Sequence, residues 1–185
     1  MEQLQWEVRY LEPPKILRHC KKCGKKTEYA SSGLFRVNAQ QKSLDIWLIY
    51  RCTTCKSTWN LTIYSRINPK SIESRLLDKF LANDSELATE YAMNSDLLKR
   101  NGAEPQVSPY QIVGDDLDLT KDAELKIVCE HPSSLTVEKI LREKLLLTRR
   151  ELESRVSSGT IRLADGGNIR RAKLKQEVTV LLGTG

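Results

Sequence analysis

The sequence predicts an α+β fold, and three observations predict it. Two C-x-x-C pairs, Cys20-Lys-Lys-Cys23 and Cys52-Thr-Thr-Cys55, sit among residues that alternate apolar and polar with a period of two. A run at helical spacing follows, with Ile72, Leu76, Leu77, Phe80 and Leu81 on one face. A second helical stripe, Val137, Ile140, Leu141 and Leu145, opens a C-terminal segment that closes on strand-forming residues. The expected architecture is an N-terminal three-stranded antiparallel zinc ribbon, a helical middle, and a C-terminal module of two helices plus a small β-hairpin. Its divisions fall at 1–70, 71–104, an acidic linker with a strand at 105–131, and 132–185.

The cysteines dictate the first element. Thiolates are the soft ligands that zinc prefers, and two close pairs brought together by a hairpin make a tetrahedral cage. The expected metal ligands are therefore Cys20, Cys23, Cys52 and Cys55, and the expected cofactor is a structural Zn²⁺. A thioredoxin-like redox pair is the competing reading, but neither C-x-x-C lies in a βαβ pattern. Gln5–Leu11 reads as a strand that delivers the chain to Pro13-Pro14, and Gly24 suits the tight turn after Cys23. Leu34–Ala39 is a short strand and Gln40–Ser43 a turn. Leu44, Ile46, Leu48 and Tyr50 then alternate with Asp45, Trp47, Ile49 and Arg51, and Trp59, Leu61 and Ile63 leave the second pair as a further strand. So little core would not stand without the metal, which supplies roughly 10–16 kcal/mol in small zinc modules. Trp47 and Ile49 lie opposite the main apolar stripe and call for a cover.

Helices are expected over Ser71–Asn83 and Ser85–Asn101, with the Gly- and Pro-punctuated stretch Asn101–Pro109 as linker and Glu124–Cys129 as a strand. In the last segment Thr148-Arg-Arg-Glu151 is a capping box, flanked by Leu147 and Leu152 as a hydrophobic staple. Ser157-Ser158-Gly159 stops that helix. Thr160–Ala164 and Leu174–Leu182 read as strands joined through an Asp165-Gly166-Gly167 turn.

The run from Leu146 to Gly166, L-L-T-R-R-E-L-E-S-R-V-S-S-G-T-I-R-L-A-D-G, resembles the S4 RNA-binding module of ribosomal and RNA-modifying proteins. Thr148-Arg149 stands where that family opens its second helix, Val156 to Ile161 matches the helix end, and Asp165-Gly166 matches the turn. The chain departs from the pattern at Gln176-Glu177, where the family has Gly-Asp. The resemblance implies an S4-like fold, structured RNA as partner, an association with the ribosome, and RNA contacts from Arg149, Arg150, Arg155 and Arg162. Arg170, Arg171 and Lys173 are added from the hairpin. The whole chain also resembles an uncharacterised, DUF1062-like bacterial family through Cys20–Lys25, Phe35–Ala39, Trp47–Cys52 and Leu97–Gly102, a resemblance that implies no activity.

Charge points the same way. Residues 1–75 hold 14 Lys/Arg against 6 Asp/Glu, residues 76–135 hold 5 against 12, and residues 136–185 hold 11 against 6, so a polyanion would touch the ends. No apolar run approaches the roughly 20 residues that span a bilayer, and no signal peptide is visible. Paired free thiols without an export signal point to the cytoplasm. Cys129 lies in an apolar run and reads as a buried small hydrophobe, and His19 as a surface residue.

The function these features predict is a non-catalytic, zinc-containing RNA-binding protein. On helical geometry Arg150 shares a solvent-facing side with Ser154 and Ser157, whereas Arg149 is placed for an i,i+4 pair with Glu153. Lys21, Lys22, Lys25 and Lys26 either meet phosphate or offset the thiolate charge. The alternative is a DNA- or protein-interaction zinc ribbon that docks a partner on Trp47 and Tyr64. An enzyme fits less well: four thiolates fill the tetrahedron, and no Gly-rich phosphate loop, Ser-His-Asp set or H-E-x-x-H motif is present.

Overall fold

A computed structural model describes residues 2–40 and 42–183. Strands β1 (Glu2–Tyr10), β2 (Ile16–Cys20), β3 (Lys25–Gln40), β4 (Ser43–Cys52) and β5 (Thr58–Ile67) lead to helices α1 (Ser74–Leu81), α2 (Ser85–Met93) and α3 (Ser95–Arg100). Strands β6 (Glu104–Pro105), β7 (Tyr110–Gly114) and β8 (Ala123–Cys129) follow. The chain closes through α4 (Val137–Leu145), α5 (Arg149–Ser157), β9 (Ile161–Leu163) and β10 (Glu177–Leu182). Among the described residues no helix is long and apolar enough to cross a membrane.

The α+β expectation, with its three-stranded ribbon, helical middle and S4-like end, is overturned. Of the described residues 41% lie in strands and 24% in helices, arranged in two five-stranded sheets. The chain forms two compact units, one from residues 1–11 with 110–185 and the other from residues 12–109. The segments 1–70, 71–104, 105–131 and 132–185 do not follow this division. The reason is β1. Period-two alternation marks it as a strand but carries no information about which strand it joins.

In the first unit the sheet runs β7-β1-β8-β10-β9, with β1 parallel to β8 and antiparallel to β7. Leu4, Trp6 and Val8 alternate inward along β1, and Leu125, Ile127 and Cys129 do so along β8. These residues meet Val137, Ile140 and Leu141 of α4 and Leu152 of α5 in one core, with Trp6 fully enclosed. Gly114 pairs with Trp6 at φ +136°, where a Cβ would collide with the Gln5 carbonyl; only glycine allows that approach. The Thr148–Glu151 capping box closes in both directions, Thr148 Oγ1 accepting from the Glu151 N–H at 3.2 Å and Glu151 Oε2 from the Thr148 N–H at 2.7 Å. The two C-terminal strands do pair, Leu163 opposite Val180, but they are not a free hairpin. β10 also pairs along its length with β8, so the expected module is one side of a larger sheet.

In the second unit the order is β5-β4-β3-β2-β6. Leu44, Ile46, Leu48 and Tyr50 point into a core shared with Phe80, Leu87, Ala88, Leu97 and Leu98 of α1, α2 and α3. The expected ribbon and helical middle are thus one body around one core. The expected helix Ser85–Asn101 breaks at Asn94, whose Oδ1 caps the Leu97 N–H at 2.9 Å and so starts α3 afresh. Leu81, expected on the buried face of α1, is 59% exposed. In the expected turn at 40–43, Gln41 lies outside the described residues, as do Met1, Thr184 and Gly185.

Candidate metal centre and basic surface

The register of β3 on β4 decides where the cysteines meet. Tyr29 opposes Cys52 and Ala39 opposes Leu44, so the start of β3 and the end of β4 share one edge. Cys20 and Cys23 sit in the turn that enters β3, Cys52 and Cys55 in the turn that leaves β4. The two turns repeat one geometry. The Gly24 N–H donates to the Cys20 carbonyl at 2.9 Å with Gly24 at φ +68°, and the Lys56 N–H donates to the Cys52 carbonyl at 3.0 Å with Lys56 at φ +63°. A lysine in the left-handed region costs about 1–2 kcal/mol. That strain is held in the second turn.

The four Sγ atoms all lie within 4.8 Å of one another. Cys20 to Cys55 is 3.5 Å and Cys23 to Cys52 is 3.9 Å. A tetrahedron with metal–sulfur bonds of about 2.3 Å has edges of about 3.8 Å, so the set fits one central ion. The contacts also cross between the two turns, which suits a shared ion better than a disulfide closed within one C-x-x-C. Cys20 and Cys52 are buried and Cys23 and Cys55 half-buried.

Polar neighbours prepare Cys20 and Cys52 as anions. Hydroxyls of Ser57 and Tyr29 and the Cys23 N–H pull the Cys20 thiol down to about 5. The Thr27 hydroxyl, with the Cys55 and Thr54 N–H groups, pulls Cys52 down to about 7. Cys23 is pushed up to about 12, by its sulfur neighbour Cys55 above all and then by burial. Cys20 and Cys52 are thus set to ionise ahead of Cys23, whose proton a bound cation would displace. Ser57 Oγ lies 3.3 Å from Cys20 Sγ and 3.0 Å from Cys55 Sγ, and Thr27 Oγ1 lies 3.3 Å from Cys52 Sγ. In the sequence these partners carry no signal beyond closeness to the C-x-x-C pairs.

Charge follows the units rather than the ends of the chain. The first unit holds 14 Lys/Arg and 14 Asp/Glu, whereas the second holds 16 against 10. Within the second unit, residues 15–70 hold 12 Lys/Arg against only Glu28 and Asp45. Lys21, Lys22 and Lys25 are exposed around the first cysteine turn, while Lys26 is paired with Glu104 at 2.6 Å. Arg18 stacks over Trp59 at 4.1 Å, and Arg36 lies 5.9 Å from the Trp47 ring centroid.

The arginines expected to meet RNA do not form one patch. Arg149 pairs with Glu153 at 3.2 Å and Arg170 with the same carboxylate at 3.0 Å, which ties α5 to the turn at 168–171. Arg150, Arg171 and Lys173 are exposed and Arg155 is half-buried. Arg162 is turned away: Ile161 and Leu163 point into the core with the helices, so Arg162 projects from the opposite face of the sheet. Tyr64 opposes Ile46 and packs edge-on against Phe80 at 6.1 Å. It therefore shares no exposed face with Trp47, which is half-buried. Cys129 is buried with its thiol pushed up to about 11 by that burial, and His19 is exposed.

A family model described as Protein of unknown function (DUF1062) matches residues 37–166, well over half of the chain. The matched span holds Cys52 and Cys55 and stops short of Cys20 and Cys23. No curated protein and no solved structure matches the chain.

Proposed function

The chain belongs to the family of proteins of unknown function DUF1062, and from its own residues we propose that it is a non-catalytic zinc-containing protein that binds structured RNA. One observation carries the reading: four sulfurs within 4.8 Å of one another stand on a sheet whose residues 15–70 hold 12 Lys/Arg against two acids. Four thiolates favour zinc among the common metals and leave it no open coordination position, so the ion is structural. Its work is to hold the two cysteine turns, and the lysines on them, at one edge of the sheet.

A rigid, strongly basic surface attracts polyanions, and A-form RNA is recognised mainly through phosphates, 2′-hydroxyls and shape. Lys21, Lys22 and Lys25 are the main phosphate contacts in this reading. Arg150, Arg155, Arg171 and Lys173 in the balanced unit are accessory, and Arg149 and Arg170 are occupied by Glu153. Docking of a partner on Trp47 and Tyr64 loses its support, because the two side chains do not share a face.

The test is titration of the zinc-loaded chain with an RNA hairpin and with duplex DNA of equal length across a salt series. Preference for RNA is expected, with the log–log salt slope shallower by about 1 for each phosphate contact removed. The triple change Lys21→Ala, Lys22→Ala, Lys25→Ala should weaken binding more than Arg149→Ala, Arg150→Ala, Arg155→Ala. Absence of binding, or equal affinity for DNA, would overturn the reading.

A further inference from the structure

β3 is interrupted where a regular strand would have served the sheet. Ser31 opposes Tyr50 and Phe35 opposes Leu48, so Ser32, Gly33 and Leu34 stand against Ile49 alone. Gly33 takes φ +71° to make the detour, and Ser32 Oγ pins it by donating to the Ile49 carbonyl at 2.7 Å. Irregularities of this kind re-aim side chains, often beside functional sites. Here the detour forms one wall of a cavity of about 360 Å³, whose other wall is the second cysteine turn. That volume is at the low end of the roughly 300–1,000 Å³ typical of small-molecule sites.

The lining is cationic and rich in hydroxyls. Ser31, Ser32, Arg51, Thr53 and Lys56 line it, and no carboxylate of the described residues does. The nearest acid in sequence, Glu28, is paired with Lys15 at 3.8 Å. Arg51 is exposed and has no carboxylate partner among the described residues. Lys56 uses one N–H on the Thr53 carbonyl at 3.0 Å and keeps two. Ser31 Oγ accepts from the Gly33 N–H at 3.2 Å, which leaves its own hydrogen to give. Two cations around a polar hollow without a counter-charge repel one another until an anion enters. The planar guanidinium of Arg51 also presents the donor pair that fits phosphate.

We propose that this cavity seats a phosphate group of a bound RNA strand, held by Arg51, Lys56 and the Ser31 hydroxyl. The proposal rests on the RNA-binding reading and gives it an address. Arg51 supplies the two-pronged contact, Lys56 the second charge, and Ser31 a neutral hydrogen bond. Because Lys56 is in the metal-anchored turn, the zinc site would hold this lysine at its phosphate.

Fluorescence anisotropy of a labelled RNA hairpin on the zinc-loaded full chain tests it, with Arg51→Ala, Ser31→Ala and Lys42→Ala compared. Lys42 is exposed at the far end of the β3–β4 hairpin, so its change removes one charge without touching the cavity. Metal content and Tm certify each variant as folded, and Arg51→Gln, which also removes the charge, stands in if Arg51→Ala is not. Arg51→Ala should weaken RNA binding by about tenfold and flatten the salt slope by roughly 0.7–1, and Lys42→Ala by less than about threefold. Ser31→Ala should weaken binding about threefold without altering the slope, since no charge is lost. Equal effects of Arg51→Ala and Lys42→Ala with RNA binding intact overturn the cavity and leave the RNA reading standing. No RNA binding by the unmodified chain overturns both. A mononucleotide that shifts the NMR signals of Ser31 and Gly33, with RNA affinity indifferent to Arg51, overturns the assignment to an RNA backbone.

Discussion

The unit built on β1 places a tryptophan on an inner strand of its sheet; the unit of residues 12–109 places four cysteines at the end of its own. Trp6 is wholly enclosed by β8, α4 and their neighbours, and the charges around that core are even at 14 of each sign. The cysteine unit also has an apolar core, running from Leu44, Ile46 and Leu48 to Phe80 and Leu98. At one edge, however, it gathers four close sulfurs and the exposed Lys21, Lys22 and Lys25. The contrast separates what stabilises from what binds. One unit is closed around an apolar core with a few polar ties, whereas the other sets a four-sulfur cluster and exposed lysines at neighbouring places on one sheet.

The largest effect is expected from chelating a metal bound at the four cysteines. Zinc–thiolate binding is worth roughly 10–16 kcal/mol in small modules, comparable to the ~5–15 kcal/mol that holds a whole domain. Chelation should therefore strip hydrogen-exchange protection from β3 and β4 around Tyr29 and Cys52, and leave β1 and β8 protected. Protection kept in β3 and β4 after chelation would contradict a metal that holds the two cysteine turns.

A smaller effect, on the other side, is expected from Trp6→Ala. It removes a fully enclosed ring and the hydrogen bond from Trp6 Nε1 to the Asp115 carbonyl at 2.8 Å. About 3–5 kcal/mol should be lost in denaturant unfolding, with metal content unchanged. The mildest change sharpens the comparison within the first unit. Thr148→Ala opens the capping box of α5 and should cost about 1 kcal/mol by thermal melting, with no effect on zinc binding.

What the sequence made legible was local. The capping box needs only four consecutive residues, and both of its hydrogen bonds are present. The alternation of Leu44, Ile46, Leu48 and Tyr50 marked the buried face of β4, and the helical stripe Val137, Ile140, Leu141 marked that of α4. The four cysteines were found by spacing and stand together as expected. The i,i+4 geometry that suggested Arg149 with Glu153 is the pairing observed.

What was not legible was non-local or lay between patterns. Leu4, Trp6 and Val8 look alike whether β1 is an edge strand or a central one, and only its parallel pairing with β8 explains why the first eleven residues belong with the last seventy-six. The three-residue detour in β3 left no periodic trace, because Ser31-Ser32-Gly33 reads as an ordinary turn signal. The segments 1–75 and 76–135 each mix residues of the two units, which hides the even balance of one. A single exposed arginine such as Arg162 carries no mark of its face until its strand has neighbours.

The central claim is that the cysteine cluster is a metal centre, and metal analysis tests it most directly. The chain would be purified under reducing conditions, alongside Cys52→Ser, and its zinc counted. About one zinc per chain is expected, with cobalt replacement giving the spectrum of four thiolates in a tetrahedron, and loss of tight binding in the variant. Protein that is folded, reduced and free of metal, and that takes up neither ion, would contradict it.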